Sequence, residues 1–124
     1  MTPKILCIDD SQMVRAQVKR ALGPSFTLVE AVDGMDALEK LQANTDIALI
    51  ICDVNMPRMS GLEFLESKAG NAGISAIPVV MLTTEGQQEM IQKAKSLGAR
   101  GWVVKPFKPE SLVAIAKKVT GVAA

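Results

Sequence analysis

Charged residues follow three apolar runs that predict buried strands. Asp9 and Asp10 follow the first run, Asp53 follows a second, and Lys105 follows a third. The carboxyl ends of parallel strands meet at one edge of an open α/β sheet, and ligands bind at that edge. We therefore expect three carboxylates and one ammonium to converge there.

A cluster of three carboxylates needs a counter-charge. Two unit negative charges 4 Å apart repel by roughly 4 kcal/mol at an effective dielectric constant near 20, so a cation or a proton must join them. Carboxylate oxygens favour a hard divalent ion, and Mg²⁺ keeps coordination positions open for a phosphoryl oxygen. With a hydroxyl from Thr83, this set suits phosphoryl transfer to Asp53 as nucleophile. The competing interpretation is that each is an ordinary solvated residue at a strand end.

Other sites of comparable chemistry are excluded by the residues present. An EF-hand starting at Asp53 would need Asp or Asn at Pro57, Gly at Arg58 and Glu at Phe64. The chain has no GxGxxG or GxxxxGK[ST] motif, which excludes the dinucleotide-binding and P-loop interpretations. It also has no histidine, so a Ser-His-Asp triad cannot form and a zinc or haem site is not expected.

Composition predicts one globular domain of 124 residues with a net charge of +1, which gives no nucleic-acid or membrane signal. The charge is uneven, since residues 87–124 carry seven Lys/Arg and two Asp/Glu. That segment is either a solvated basic face or a docking face for an acidic partner. Cys7 and Cys52 lie in apolar strands, and no leader is evident, so we expect core packing in a cytoplasmic protein.

Strand and helix patterns alternate five times along the chain. The fully apolar third strand is expected at the centre of the sheet, and the weaker second strand at its edge. Ser60 and Glu63 form a capping-box pattern that starts the third helix, and Pro109 fits the first turn of the last helix. The predicted strands cover about 4–9, 26–31, 47–52, 78–83 and 100–104.

Five strand–helix units predict an α/β fold in which helices cover both faces of a doubly wound parallel sheet. The flavodoxin-like strand order 2-1-3-4-5 is expected for five strands, with its switch point between strands one and three. Those are the strands that end in Asp9, Asp10 and Asp53. The topology and the carboxylates therefore indicate the same position.

Taken together, these motifs resemble the receiver domain of two-component response regulators. The resemblance covers about residues 4–120 and is greatest to the chemotaxis-type members that stand alone, so residues 1–124 are expected to be a single receiver domain without an output domain. It implies a cis peptide bond before Pro106. The residues that carry it are Asp9, Asp10, Asp53, Thr83 and Lys105 with Pro106.

The resemblance implies a magnesium site and a phosphate acceptor. Asp53 would accept a phosphoryl group from a sensor histidine kinase. Asp10 and Asp53 would bind Mg²⁺ directly, together with the backbone carbonyl of Asn55, while Asp9 would act through bound water.

The resemblance also implies roles for the residues around the acceptor. Lys105 would pair with the phosphoryl group or with Asp53, and Thr83 would donate a hydrogen bond in the active state. Trp102 occupies the aromatic switch position, where Tyr or Phe is usual. Asn55 and Glu85 occupy the positions that tune the lifetime of the phosphate.

The expected function is a phosphorylation-switched binding module in chemotaxis-type signalling. The face formed by the fourth helix, fifth strand and fifth helix would bind a downstream effector, for which the flagellar motor switch is one candidate. The protein would be a monomer that catalyses only its own phosphorylation and dephosphorylation, without binding nucleic acid or membrane. One alternative is a phosphate sink or shuttle that has no effector. Another is an aspartyl-phosphate phosphatase, but Asn55 stands where such enzymes use a second Asp.

Overall fold

Strands and helices alternate strictly in the computed structural model, which describes residues 3–54, 59–83 and 88–121. Each strand is followed by a helix, as the sequence predicts, and strand ends differ from the predicted ones by one residue. The elements are β1 (Lys4–Ile8), α1 (Gln12–Leu22), β2 (Thr27–Ala31), α2 (Gly34–Ala43), β3 (Ile47–Asp53), α3 (Gly61–Ala69), β4 (Val79–Thr83), α4 (Gln88–Ser96), β5 (Gly101–Val104) and α5 (Pro109–Thr120).

The strands form one parallel sheet in the order β2-β1-β3-β4-β5, which confirms the predicted fold class and topology. Ile8 of β1 lies between Ala31 of β2 and Cys52 of β3. The next residues along β1 and β3 are Asp9 and Asp53. The register therefore brings the acidic ends of these two neighbouring strands to the same edge of the sheet.

Two apolar layers cover the sheet, one on each face. Alternation along β1 sends Leu6 and Ile8 to the layer that contains Phe64 of α3, and Ile5 and Cys7 to the layer that contains Leu112 of α5. Burying one such aliphatic side chain stabilises the fold by about 1.5–3 kcal/mol. Because both faces of the sheet are covered, β1 and β3 form a rigid support for the residues at their carboxyl ends.

The two cysteines pack in these layers, as predicted. Cys52 lies in the layer with Phe64, and Cys7 lies in the opposite one. Burial and the nearby Asp9 raise the pKa of the Cys7 thiol to about 12. Burial also raises the pKa of Cys52 well above its usual value. Both side chains are therefore neutral apolar packing groups at physiological pH.

Local sequence signals set the helix ends near the acidic edge. The predicted capping box is present, since Glu63 N donates to Ser60 Oγ at 3.2 Å and Ser60 N donates to Glu63 Oε1 at 3.1 Å. Gly61 packs so closely against the backbone oxygen of Asp53 that a Cβ atom would overlap it. The absence of a side chain at Gly61 therefore allows α3 to begin directly beside the end of β3.

The remaining helix predictions agree with the structure where it describes them. Pro109 occupies the first turn of α5. Gly98 follows α4 with a φ of 101°, a conformation that glycine adopts without strain. Helical periodicity also predicts that Met90 of α4 faces inward, but its side chain lies outside the part that the structure describes. Within the described segments, every helix is too short or too polar to cross a lipid bilayer.

Candidate functional site

The three predicted carboxylates meet at the carboxyl edge of the sheet. One oxygen each from Asp9, Asp10 and Asp53 lies within 4.8 Å of the other two. Asp9 and Asp53 are buried, whereas Asp10 is exposed. Three oxygen donors at this spacing, with one side open to solvent, fit a hard divalent cation such as Mg²⁺.

Lys105 joins two of these carboxylates. Its Nζ donates to Asp9 Oδ2 and to Asp53 Oδ1, each at 3.1 Å, and its side chain is 21% exposed. Burial alone would lower the pKa of Lys105, but the hydrogen bonds and charges of Asp53 and Asp9 outweigh burial and raise it. Lys105 therefore carries a full positive charge at the acidic edge at neutral pH.

The backbone directs Lys105 into the site. Lys105 N donates to Thr83 O at 2.7 Å, which extends the pairing of β4 and β5 by one residue. The Lys105–Pro106 peptide bond is cis, as the resemblance implied.

Thr83 ends β4 beside the cluster, as predicted. It is 2% exposed, and its Oγ1 has no hydrogen-bond partner among the residues that the structure describes. A buried hydroxyl without a partner costs about 1–3 kcal/mol. An unpartnered buried hydroxyl is expected at a functional position where a bound ligand supplies the hydrogen-bond partner.

Trp102 is partly buried on β5, next to α4. Lys95 of α4 places its Nζ 4.5 Å from the centre of the Trp102 ring, which is a cation–π contact. A groove of about 380 Å³ runs beside this residue along β5 and the start of α5. It is lined by Trp102, Val103, Val104, Pro106, Phe107, Lys108, Ser111 and Ile115.

Two predicted positions lie outside the described residues. These are Asn55, expected to contribute a backbone carbonyl to the metal and to tune the phosphate, and Glu85, expected to tune the phosphate. Their roles stay predictions.

Three side chains near the site were missed by the sequence analysis: Arg15, Glu30 and Lys95. Arg15 donates to the backbone oxygen of Asp9 and to Glu30. The one charged residue of strand β2, Glu30, was the sequence signal for this pair. No local pattern could indicate the Lys95–Trp102 contact, because it depends on how α4 lies against β5.

Comparison with known proteins gives one consistent family. The family model of the response regulator receiver domain matches residues 5–117. Chemotaxis protein CheY1 of Helicobacter pylori is 37% identical over 111 residues, which are 88% of this chain and 90% of that protein. The chemotaxis protein CheY homolog of Campylobacter jejuni is 34% identical over the same share of this chain and 85% of its own length.

A solved structure agrees with these relatives. Chemotaxis protein CheY4 of Vibrio cholerae superposes with a TM-score of 0.89 and 39% identity, covering 96% of this chain and 99% of that chain. Its fold is that of the sheet and helices described above. The chain belongs to the response regulator receiver domain family and is a CheY-like receiver of two-component signalling.

Proposed function

We propose that Asp53 accepts a phosphoryl group from a sensor histidine kinase in a Mg²⁺-dependent reaction, and that this changes the surface formed by α4, β5 and α5. The observation that carries the proposal is the convergence of Asp9, Asp10 and Asp53 within 4.8 Å, with Lys105 bonded to two of them. The family supports two-component signalling in general, and the residue roles below are our inference.

Charge balance supports a metal at this site. Three carboxyl groups face one ammonium, so the formal charge of the described cluster is negative. Asp10 and Asp53 would hold Mg²⁺ directly, and Asp9 would hold it through water. When bound, Mg²⁺ supplies positive charge that offsets the carboxylates and the oxygens of the transferred group.

The proposed chemistry is a displacement at phosphorus. An Asp53 carboxylate oxygen forms a bond to the phosphorus of the donor phosphohistidine, while the phosphorus–nitrogen bond breaks and the imidazole leaves. A water oxygen later forms a bond to the same phosphorus while the bond from phosphorus to the Asp53 oxygen breaks. This releases inorganic phosphate and a proton and restores the carboxylate. Lys105 is placed to neutralise negative charge on the phosphoryl oxygens, because it already contacts Asp53 Oδ1 at 3.1 Å.

Thr83 is proposed to link phosphorylation to the surface. A phosphoryl oxygen would give its Oγ1 the acceptor that it lacks among the described residues. One hydrogen bond to a charged group contributes about 1.5–3 kcal/mol, whereas changing a population ratio from 1:99 to 99:1 takes about 5.5 kcal/mol. Lys105 and repacking around Trp102 must therefore contribute the rest.

The surface beside Trp102 is proposed to bind the effector. Val104 is 41% exposed and lines the groove along β5 and the start of α5. Lys95 and Lys108 are exposed on the same face. A groove with a mixed polar and apolar lining and lysines nearby suits a partner segment that carries both apolar and acidic side chains.

The proposal predicts one phosphate per chain on Asp53. The purified protein is mixed with Mg²⁺ and a small phosphodonor such as acetyl phosphate, and intact mass and Trp102 emission are followed. We expect the wild type to gain one phosphate and to change its emission, and Asp53→Asn to do neither, because the amide oxygen is a far weaker nucleophile. Phosphate on Asp53→Asn at the wild-type level, or none on the wild type, overturns the proposal.

The same sample distinguishes an effector-binding switch from a phosphate sink. A switch gains affinity for a protein other than its kinase once phosphorylated, and a sink does not. The exposed Val104 and its groove favour the switch.

A further inference from the structure

Arg15 connects three elements at the acidic edge. It lies in the second turn of α1, where its side chain is 13% exposed. Its Nη1 donates to the backbone oxygen of Asp9 at 2.7 Å, and its Nε donates to Glu30 Oε1 at 3.0 Å. One guanidinium thus joins the end of β1, helix α1 and strand β2.

The hydrogen bond from Arg15 gives the last polar group of Asp9 a partner. The amide of Asp9 donates to Ala31 O at 3.0 Å, and its Oδ1 accepts from Ser11 N at 2.9 Å. Its Oδ2 accepts from Lys105. The carbonyl oxygen is the remaining polar group, and Arg15 binds it.

The carbonyl of Asp9 matters because it belongs to the peptide that joins Asp9 to Asp10. A peptide unit is planar, so fixing its oxygen also fixes the direction in which the chain continues to the Cα atom of Asp10. Asp10 is exposed, and among the described residues its side chain has no hydrogen bond of its own. Its position relative to Asp53 is therefore set by the backbone that Arg15 holds.

We propose that Arg15 is a positioning residue for the magnesium site, and that Glu30 holds Arg15 in place. The inference rests on the proposed function, since it assigns Asp10 to the metal. Arg15 acts through geometry more than through charge, because Glu30 offsets its charge while both of its hydrogen bonds are kept. Partners of this kind typically change metal affinity by about 10- to 100-fold when removed.

The test measures Mg²⁺ affinity by calorimetry on the full chain. Arg15→Met keeps the apolar stem and removes the donors, and we expect it to weaken Mg²⁺ binding about tenfold. Arg15→Lys keeps the charge but cannot reproduce the two-pronged geometry, so we expect it to stay about as weak as Arg15→Met. Glu30→Gln should weaken binding about two- to threefold, since it leaves Arg15 less firmly held. Arg20→Met, also on α1 and not bonded to Asp9, is the matched control and should bind like the wild type.

The outcomes separate this inference from the proposed function. If the wild type binds Mg²⁺ and accepts one phosphate while Arg15→Met binds Mg²⁺ equally well, the positioning role is wrong and the proposed function stands. If Arg15→Lys binds Mg²⁺ as tightly as the wild type, Arg15 acts through its charge, and the positioning role is wrong. If the wild type neither binds Mg²⁺ nor accepts phosphate, the proposed function itself has failed. Circular dichroism shows whether Arg15→Met folds. If it does not, Glu30→Gln serves as the test, and an unchanged Mg²⁺ affinity in folded Glu30→Gln overturns the role of the pair.

Discussion

Lys105 and Lys68 lie at opposite edges of the sheet, and their pKa values are shifted in opposite directions. Burial disfavours the charged form of both side chains. At the carboxyl edge, Asp53 and Asp9 reverse that effect and raise the pKa of Lys105. At the amino edge, burial and the nearby Arg100 lower the pKa of Lys68.

The partners of the two lysines explain the difference. Lys105 Nζ donates to two carboxylates, whereas Lys68 Nζ donates to the backbone oxygen of Ser75 at 2.8 Å. Lys68 is 6% exposed and supports the turn between α3 and β4. A partly buried lysine that is hydrogen-bonded to carboxylates is therefore a candidate functional residue. A buried lysine whose hydrogen bond is to a backbone carbonyl has a structural role.

Lys105→Met should have the largest effect. It removes the ammonium that pairs with the carboxylates of both Asp9 and Asp53, so we expect phosphorylation by a small donor at saturating Mg²⁺ to slow about 100-fold. In metal-free buffer we expect a loss of about 2 kcal/mol in the free energy of unfolding, less than for a fully buried pair because Lys105 is partly exposed. Initial rates from intact mass and urea titrations measure the two effects.

Lys19→Met, an exposed lysine on α1, is the matched control and should leave both quantities unchanged. A phosphorylation rate of Lys105→Met within threefold of the wild type would show that the ammonium is not needed for transfer. The proposed distinction between the two edges would then be lost.

Lys68→Met should leave phosphorylation unchanged and affect only stability. The substitution loses the hydrogen bond to Ser75 O, which contributes about 0.5–1.5 kcal/mol, but it also removes a charge that is costly to bury. We therefore expect the free energy of unfolding to change by less than about 1 kcal/mol near neutral pH. A phosphorylation rate reduced tenfold would contradict the assignment of Lys68 to structure alone.

The pH dependence of this variant gives a second, independent measurement. Because the folded pKa of Lys68 is lowered, the folded wild type loses this proton at a lower pH than the unfolded chain, whose pKa is 10.5. The unfolded state binds more protons in that interval, so wild-type stability rises with pH relative to Lys68→Met. Urea titrations from pH 7 to 10.5 should show this rise, and a constant difference would mean that Lys68 is not desolvated.

The sequence predicted the part of the site that depends on where strands end. Asp53 follows an apolar run long enough to be a central strand, and the parallel order then places Asp9 and Asp10 beside it. The capping box at Ser60 was equally predictable, because its hydrogen bonds join residues three positions apart. Strand periodicity and local capping therefore suffice for the fold and for the meeting point of the carboxylates.

Lys105 was expected beside the carboxylates because it also follows a strand, but other contacts between distant side chains could not be predicted in this way. Arg15 and Glu30 are 15 residues apart on different elements. Whether such pairs meet depends on rotamers and on packing of helices against the sheet, which no spacing rule contains. Lys68 shows the same limit, since a lysine in a short helix is ordinarily exposed.

Lys95→Met should also have a small effect and extends the comparison to an exposed lysine that lies outside both sites. Lys95 is exposed, and its one described contact is with the Trp102 ring at 4.5 Å. Cation–π contacts at exposed sites contribute about 0.5–1 kcal/mol, so we expect a loss of stability of that size and a change in Trp102 emission. Phosphorylation of Asp53 should proceed at the wild-type rate, because Lys95 is absent from the carboxylate cluster.

This variant also tests whether Trp102 moves when Asp53 is phosphorylated. If Lys95 holds Trp102 in its described position, its loss makes movement easier, and the emission of unphosphorylated Lys95→Met should shift toward that of the phosphorylated wild type. Lys93→Met, on the same helix and paired with Glu66 at 3.6 Å, should leave emission unchanged. An equal shift in both variants would attribute the change to α4 as a whole and remove Lys95 from the account of the switch.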